Sequence, residues 1–121
     1  MPKILVIDDS PFMRHQLRTY LEAAGHEVVE FLPLSALEVI DKVREVSPDL
    51  VLSDYNMPDV DGLSVTRMAK RANSKLPILI LTSIRNAERE VELMKLGKAD
   101  VLHKPIAKEE LVQAVQKVLG S

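Results

Sequence analysis

Short apolar runs alternate along this chain with longer stretches whose apolar residues recur at helical spacing, in five successive pairs. The runs ILVI and ILIL show no polar alternation, as is typical of strands that are buried on both faces. The pattern predicts an α/β fold with a single doubly wound, five-stranded parallel sheet and helices on both of its faces. The predicted strands cover residues 3–7, 27–31, 50–53, 78–82 and 101–103.

Capping signals and apolar periodicity locate five helices. The first is predicted to follow Ser10, a good N-cap, with Pro11 at the first helical position, and to end at Gly25. The others are predicted over residues 35–46, from 61 or 62 to 72, over 86–96 with a stop at Gly97, and in a last segment that carries Leu111, Ala114, Val115, Val118 and Leu119.

The same periodicity predicts which helix faces are buried. In the first helix the inner stripe comprises Met13, Leu17, Leu21 and Ala24. The residues expected to face outward are Arg14, Arg18 and Glu22. The second helix carries the apolar residues Leu37, Ile40 and Val43.

Length and composition narrow the class of protein. The 121 residues fit one domain of ordinary size, and the formal charge of −2 provides no field that would attract nucleic acid or an anionic membrane. With no cysteine, disulfides and thiolate metal sites are excluded. The apolar stretch at the N-terminus is too short for a signal sequence or a spanning helix, so we expect a soluble, cytoplasmic domain.

Four of the apolar runs end at residues that can bind a phosphate or a metal ion. Because the carboxyl ends of parallel strands share one edge of the sheet, we expect these residues to meet in one crevice. They are Asp8 and Asp9 after the first run, Asp54 after the third, Thr82 and Ser83 after the fourth, and Lys104 and Pro105 after the fifth.

The three aspartates suggest a cation site. Two unit charges about 5 Å apart repel by roughly 3 kcal/mol at an effective dielectric near 20, and a hard ion such as Mg²⁺ relieves that repulsion. A carboxylate beside such an ion can also attack phosphorus and form an acyl phosphate, a role that suits Asp54. Taken singly, these aspartates could instead make an Asx turn or cap a helix.

The remaining polar residues at this edge are weaker signals. Lys104 could reach a phosphate as a point charge, and the bond to Pro105 is a candidate for cis geometry. Thr82 and Ser83 could donate hydroxyl hydrogen bonds, although a turn or a solvated strand end is the commoner role for each alone.

Other familiar sites are missing from the sequence. It contains no GxxxxGK[ST] loop for a nucleotide triphosphate, no GxGxxG turn for a dinucleotide and no GxSxG nucleophile elbow. The three histidines lack metal-ligand spacing and are interpreted as surface or strand-end residues; they are His15, His26 and His103.

Four segments together resemble the receiver domain of two-component response regulators, the CheY-like superfamily. They are ILVIDDSPFMR, PDLVLSDYNMPDVDG, PILILTS and GKADVLHKPI, in that family's order and spacing. The resemblance covers residues 1–121 as one receiver domain. It implies a flavodoxin-like (βα)5 fold with strand order 2-1-3-4-5.

The resemblance also implies roles for the residues at the strand ends. Asp54 would accept a phosphoryl group from a sensor histidine kinase. Asp9, Asp54 and the backbone carbonyl of Asn56 would hold Mg²⁺, for which Mn²⁺ could substitute, and Asp8 would act through a bound water. Lys104 would contact the phosphoryl group.

A conformational switch is the expected output. The resemblance implies that Thr82 moves towards the phosphoryl group, and that Ser83 and Pro105 belong to the adjoining loops. The surface formed by the fourth helix, fifth strand and fifth helix would then bind a downstream target or a second copy of the chain. An aromatic residue usually follows that movement, but here its position holds Val101. We further expect Ile84 to restrict attacking water. Neither nucleic acid nor membrane is an expected partner.

Two other classes of protein stay open at this point. A phosphoryl-transfer enzyme with an aspartate nucleophile would also need Mg²⁺ and a lysine, although such enzymes resemble DxDx[TV] at the first strand, where this chain has DDSP. A receiver-shaped scaffold that works without phosphate is the other class that stays open, and Val101 is the residue that favours it.

Overall fold

The computed structural model describes residues 1–83, 87–95 and 99–120. Its strands are β1 (Lys3–Ile7), β2 (Glu27–Phe31), β3 (Leu50–Asp54), β4 (Ile78–Thr82) and β5 (Ala99–His103). Its helices are α1 (Pro11–Ala23), α2 (Ala36–Val46), α3 (Gly62–Ala72), α4 (Ala87–Met94) and α5 (Lys108–Leu119).

The five strands form one parallel sheet in the order β2-β1-β3-β4-β5. This order confirms the doubly wound, flavodoxin-like α/β fold expected from the sequence. Strands β3 and β4 are buried along their whole length, and β1 is buried after its first residue. Their continuous apolar runs therefore reflect burial on both faces of the sheet.

Alternate side chains of each central strand enter two separate cores. Ile4 and Val6 pack in a cluster with Leu17 and Leu21 of α1 and with residues of α5. Leu5 and Ile7 point to the opposite face and pack with residues of α2 and α3. The sheet is thus covered on both sides, and its carboxyl edge remains open for a site.

Most element boundaries agree with the sequence prediction. Ser10 caps α1 by accepting a hydrogen bond from the backbone N–H of Met13 at 3.2 Å, and Gly25 takes the left-handed φ of 93° expected of a helix stop. Strand β3 extends one residue further than predicted, and β5 begins two residues earlier. A helix forms where the fourth was predicted, but Asn86, Leu96 and Gly97 lie outside the described residues.

The apolar residues of the second helix do not all face the core, since the exposed fraction of Leu37 is 68%. Residues spaced by three drift about 60° per step around a helix of 3.6 residues per turn, so Leu37 and Val43 cannot share a narrow stripe. The buried stripe consists of Val39 and Val43 instead.

His26 lies directly before β2, as a strand-end residue would, but it is not at the surface. It lies between α1 and β2, its exposed fraction is 8%, and its backbone N–H donates to the carbonyl of Leu21 at 3.1 Å. That hydrogen bond draws the turn under the end of α1 and buries the ring.

Candidate functional site

Three aspartates meet at the carboxyl edge of the sheet. One carboxylate oxygen from each of Asp8, Asp9 and Asp54 lies within 4.8 Å of the others. The strand register explains this, because Ile7 pairs with Ser53 and the residues that follow them, Asp8 and Asp54, therefore lie side by side at the carboxyl ends of two neighbouring strands. The sequence prediction that these three side chains share one crevice agrees with the geometry.

Asp8 is held in one orientation with one oxygen uncommitted. Its Oδ1 accepts a hydrogen bond from the backbone N–H of Ser10 at 2.9 Å, and its side chain is only 1% exposed. Its buried Oδ2 has no hydrogen-bond partner among the described residues and lies 3.7 Å from the Nζ of Lys104. Burial raises the pKa of the Asp8 carboxyl, and the nearby charge of Asp54 raises it further.

Asp54 forms the last residue of β3 and is paired with a lysine. The Nζ of Lys104 donates a hydrogen bond to Oδ1 of Asp54 at 3.0 Å. Burial is the larger influence and raises the pKa of the Asp54 carboxyl, while the ammonium group of Lys104 opposes that shift. The result is a buried carboxylate whose negative charge is partly compensated by one cation.

Lys104 reaches both aspartates because its backbone is fixed to the neighbouring strand. Its N–H donates to the carbonyl of Thr82 at 2.8 Å, which continues the β4–β5 pairing by one residue. The bond between Lys104 and Pro105 is cis, as the sequence suggested. The ammonium group therefore sits between Asp8 and Asp54.

The hydroxyl residues occupy the same edge. Thr82 is buried at the end of β4, where it pairs in register with His103, and Ser83 follows it at the surface. Two strand positions before His103, Val101 is partly buried against the core cluster that contains Ile80. Val101 thus lies on the strand that leads to the site but brings no aromatic ring to it.

The loop after β3 is closed by a glycine that approaches the backbone. The N–H of Gly62 donates to the carbonyl of Tyr55 at 2.8 Å, and a Cβ on Gly62 would lie 2.9 Å from the Cα of Tyr55. Asp61 then caps α3 by accepting from the N–H of Ser64 at 2.8 Å. Asn56, whose carbonyl the resemblance assigns to the metal, belongs to this closed loop.

Sequence reasoning missed Arg14 and Glu30. Arg14 was expected to face outward, yet its side chain is only 17% exposed and its Nη1 donates to the backbone carbonyl of Asp8 at 2.6 Å. Its Nε lies 3.5 Å from Oε1 of Glu30 on β2. Helical periodicity alone could not show this contact, because it depends on how closely β2 packs beside α1.

The acidic cluster fits a hard divalent cation. Mg²⁺ prefers oxygen ligands and commonly takes one or two carboxylates together with waters and phosphate oxygens. The cluster offers carboxylate oxygens from three residues, and the buried, unpartnered Oδ2 of Asp8 is a group that a cation would satisfy. Such an Asp cluster is typical of the Mg²⁺ site of a receiver domain.

A protein-family model for the response regulator receiver domain matches residues 4–116. Because that match covers nearly the whole chain, the chain belongs to the response regulator receiver family. A receiver domain is a phosphoacceptor of two-component systems, a signalling module and not a catalytic enzyme, and its partners are histidine kinases.

Individual relatives agree with this assignment. The chain is 32% identical over 117 residues to the transcriptional regulatory protein PhoP of Escherichia coli strain K12, which covers 97% of this chain and 52% of PhoP. The chemotaxis protein CheY4 of Vibrio cholerae superposes with a TM-score of 0.85 at 30% identity, covering 98% of each chain. A LuxR-family response regulator from Aurantimonas sp. SI85-9A1 gives a TM-score of 0.88 at 28% identity, covering 99% of this chain and 86% of that one.

The chain spans about half the length of the curated relatives that it matches. Among the helices of the described residues, none has both the length and the apolar content that a membrane crossing requires.

Proposed function

We propose that Asp54 is the residue that accepts the phosphoryl group, and that residues 1–121 act as one receiver domain. The observation that carries this proposal is the position of Asp54, which is in hydrogen-bond contact with Lys104 and within 4.8 Å of the acidic oxygens of Asp8 and Asp9. A carboxylate nucleophile, a cation site and an ammonium group are the three parts that phosphoryl transfer to aspartate requires.

The reaction is an in-line displacement at phosphorus. A carboxylate oxygen of Asp54 forms the new O–P bond while the P–N bond of a phosphorylated histidine breaks, and the histidine nitrogen keeps that electron pair and takes up a proton. Lys104 stabilises the negative charge that gathers on the phosphoryl oxygens. The transfer is the domain's own chemistry, and so is the later loss of the phosphoryl group to water.

The residues that would hold Mg²⁺, or Mn²⁺ in its place, are Asp9, Asp54 and the backbone carbonyl of Asn56, with Asp8 acting through a bound water. When bound, the ion supplies charge neutralisation for the phosphoryl oxygens and the acidic cluster. Asp8 contributes by keeping its buried Oδ2 directed at the cluster, since Oδ1 is already occupied by the N–H of Ser10.

The switch that follows is carried by the strands β4 and β5. Phosphorylation adds up to about two negative charges and three acceptor oxygens at Asp54, and the hydroxyl of Thr82 moves to donate to them. Its backbone carbonyl already accepts from the N–H of Lys104, so the movement passes to the loops containing Ser83 and Pro105. Val101 is too small and too stiff to follow as an aromatic ring would.

The partners are a sensor histidine kinase that supplies the phosphoryl group and a downstream target that binds the surface of α4, β5 and α5. Dimerisation through that surface is an alternative output. The domain itself contacts neither nucleic acid nor membrane, because its formal charge of −2 provides no attraction to either.

Mass spectrometry after incubation with acetyl phosphate tests the proposal. We expect a gain of one phosphoryl group that requires Mg²⁺, is lost in Asp54→Asn and is retained in Asp41→Asn, a matched change on the exposed side of α2. Steady turnover of phosphomonoesters would favour an aspartate-nucleophile enzyme instead. No modification by acetyl phosphate or by a phosphorylated kinase would favour a scaffold that works without phosphate.

A further inference from the structure

Arg14 joins the acidic turn after β1 to the edge strand β2. Its Nη1 donates to the backbone carbonyl of Asp8 at 2.6 Å, and its Nε lies 3.5 Å from Oε1 of Glu30. The arginine and glutamate side chains are 17% and 27% exposed, so this pair is largely shielded from solvent. A single guanidinium group therefore fixes a main-chain atom at the site to a charge on another strand.

Glu30 is occupied at both of its oxygens. Oε2 accepts from Nη1 of Arg18 at 3.0 Å, while Oε1 faces Arg14. Arg18 itself also pairs with Glu22 at 3.2 Å, one turn further along α1. The carboxylate of Glu30 thus holds the Nε of Arg14 on the β2 side while the Nη1 donates to the backbone carbonyl of Asp8. An arginine released from Glu30 could instead pair with the aspartates and compete with a divalent cation.

The contact with the Asp8 carbonyl controls the orientation of two ligand residues. The peptide unit between Asp8 and Asp9 is planar, so fixing its carbonyl oxygen also fixes the direction in which Asp9 leaves the strand. The N–H of Ser10 holds Oδ1 of Asp8 from the other side. The turn is consequently set in place at its backbone and at one side-chain oxygen before any ion binds.

We propose that Arg14 is a positioning residue for the divalent-cation site and that Glu30 keeps it in the productive place. The proposal rests on the function given above, in which Asp8 and Asp9 contribute to cation binding. Although the positive charge of Arg14 repels Mg²⁺, we expect its net effect to be an increase in Mg²⁺ affinity.

A purely electrostatic role and a positioning role predict opposite changes in Mg²⁺ affinity when Arg14 is removed, so the two can be told apart by experiment. If Arg14 acted only as a nearby cation, removing it would strengthen Mg²⁺ binding, because like charges repel. If it positions the turn, removing it weakens binding, by about tenfold at the lower end of the effect usual for residues that orient metal ligands.

Calorimetric titration with Mg²⁺ is the first measurement. We expect Arg14→Gln to raise the dissociation constant about tenfold. Arg18→Gln is the control, since it removes the same charge from the same helix while Arg14 keeps its contacts with Asp8 and Glu30. It should change the dissociation constant by less than about twofold, because the Arg18 side chain is 42% exposed. Arg14→Lys retains one donor for the Asp8 carbonyl and should recover part of the affinity.

Amide hydrogen exchange of Ser10 without metal is the second measurement, and it does not depend on activity. Exchange of this N–H should speed up in Arg14→Gln and in Glu30→Gln but not in Arg18→Gln. Glu30→Gln leaves Arg14 in the chain, so this variant provides the test if the lack of a cooperative unfolding transition shows that Arg14→Gln is not properly folded.

The outcomes separate the two proposals. If the parent protein takes up a phosphoryl group in a Mg²⁺-dependent way while Arg14→Gln binds Mg²⁺ as tightly as the parent, or more tightly, the positioning role is overturned and the function stands. Equal losses of Mg²⁺ affinity in Arg14→Gln and Arg18→Gln would overturn the positioning role as well. If the parent protein neither binds Mg²⁺ nor accepts a phosphoryl group, both proposals fail together.

Discussion

The ammonium group of Lys104 lies 3.0 Å from Oδ1 of Asp54, although fifty residues separate the two along the chain. The same Nζ is 3.7 Å from Oδ2 of Asp8. Lys104 therefore acts as the resident counter-ion of two buried carboxylates. It compensates part of their charge, and under the proposed function it is already in place to contact the phosphoryl oxygens.

Replacing this counter-ion should affect Mg²⁺ binding and phosphorylation in opposite directions. In Lys104→Met we expect the Mg²⁺ dissociation constant to fall by about threefold, because a competing positive charge is removed from the acidic cluster. Phosphorylation by acetyl phosphate should slow by about tenfold or more, because the developing phosphoryl charge loses a donor. Lys108→Met, an exposed change at the start of α5, is the control. Parallel losses of binding and rate in Lys104→Met would count against this account.

The acidic cluster should lower the stability of the metal-free protein at neutral pH. Burial raises the pKa of the Asp8 carboxyl above its value in the unfolded chain, so the folded state binds more protons and the free energy of unfolding falls as pH rises through the folded pKa. Asp8→Asn removes this penalty and should raise the free energy of unfolding at pH 7 by on the order of 1 kcal/mol.

Urea denaturation at pH 7 without metal checks that prediction, with the exposed Asp41→Asn as control. Adding Mg²⁺ should stabilise the parent protein, since an ion that binds only the folded state raises its stability. The difference in the free energy of unfolding between Asp8→Asn and the parent should then become smaller. A less stable Asp8→Asn protein would show that the attraction between Asp8 and Lys104 outweighs the repulsion within the acidic cluster.

Lower pH should weaken Mg²⁺ binding while it strengthens the metal-free fold. The pKa values of Asp8 and Asp54 are both raised, chiefly by burial, so protons compete with the ion at a higher pH than for an exposed aspartate. Mg²⁺ affinity and phosphorylation rate should therefore both decline as pH falls through these raised values. Titrations between pH 8 and about pH 4.5, just above the ordinary aspartate range, measure this. A Mg²⁺ affinity that stays constant down to about pH 4.5 would contradict this prediction.

The fold and the convergence of the site followed from local features of the sequence. The uninterrupted run ILVI is typical of a strand whose side chains are buried on both faces of a sheet, and parallel strands bring their carboxyl ends to one edge. Asp8, Asp54 and Lys104 could therefore be placed together from their positions after the strands. Their individual roles came from the family resemblance and remain proposals.

What the sequence could not predict depends on contacts between distant elements. The periodicity of α1 assigned Arg14 to the outer face, but a long side chain on the flank of a helix can reach a neighbouring strand, and Glu30 lies within its reach. The burial of His26 was missed for a related reason, because it depends on a turn that folds back under Leu21. The effect of Ile84 on the lifetime of the phosphoryl group stays a prediction, since that residue lies outside the described ones.

Gly62 should be required for the geometry of the loop that carries Asn56. A Cβ at this position would lie 2.9 Å from the Cα of Tyr55, a main-chain atom that cannot move aside without shifting the end of β3. Gly62→Ala should lower the free energy of unfolding by about 1–3 kcal/mol, the usual cost of inserting an atom into a packed site. It should also slow phosphorylation by acetyl phosphate, because Asp54 directly precedes Tyr55.

Gly25→Ala provides the comparison that separates a local effect on the site from a general loss of stability. Gly25 has a left-handed φ of 93° at the far end of α1, so alanine there should destabilise the protein by about 1 kcal/mol through backbone strain alone. Both variants should then be assayed well below their unfolding temperatures with saturating Mg²⁺. Slower phosphorylation in Gly62→Ala but not in Gly25→Ala supports a role of the closed loop in the chemistry, and equal rates would reduce Gly62 to a residue that only stabilises the fold.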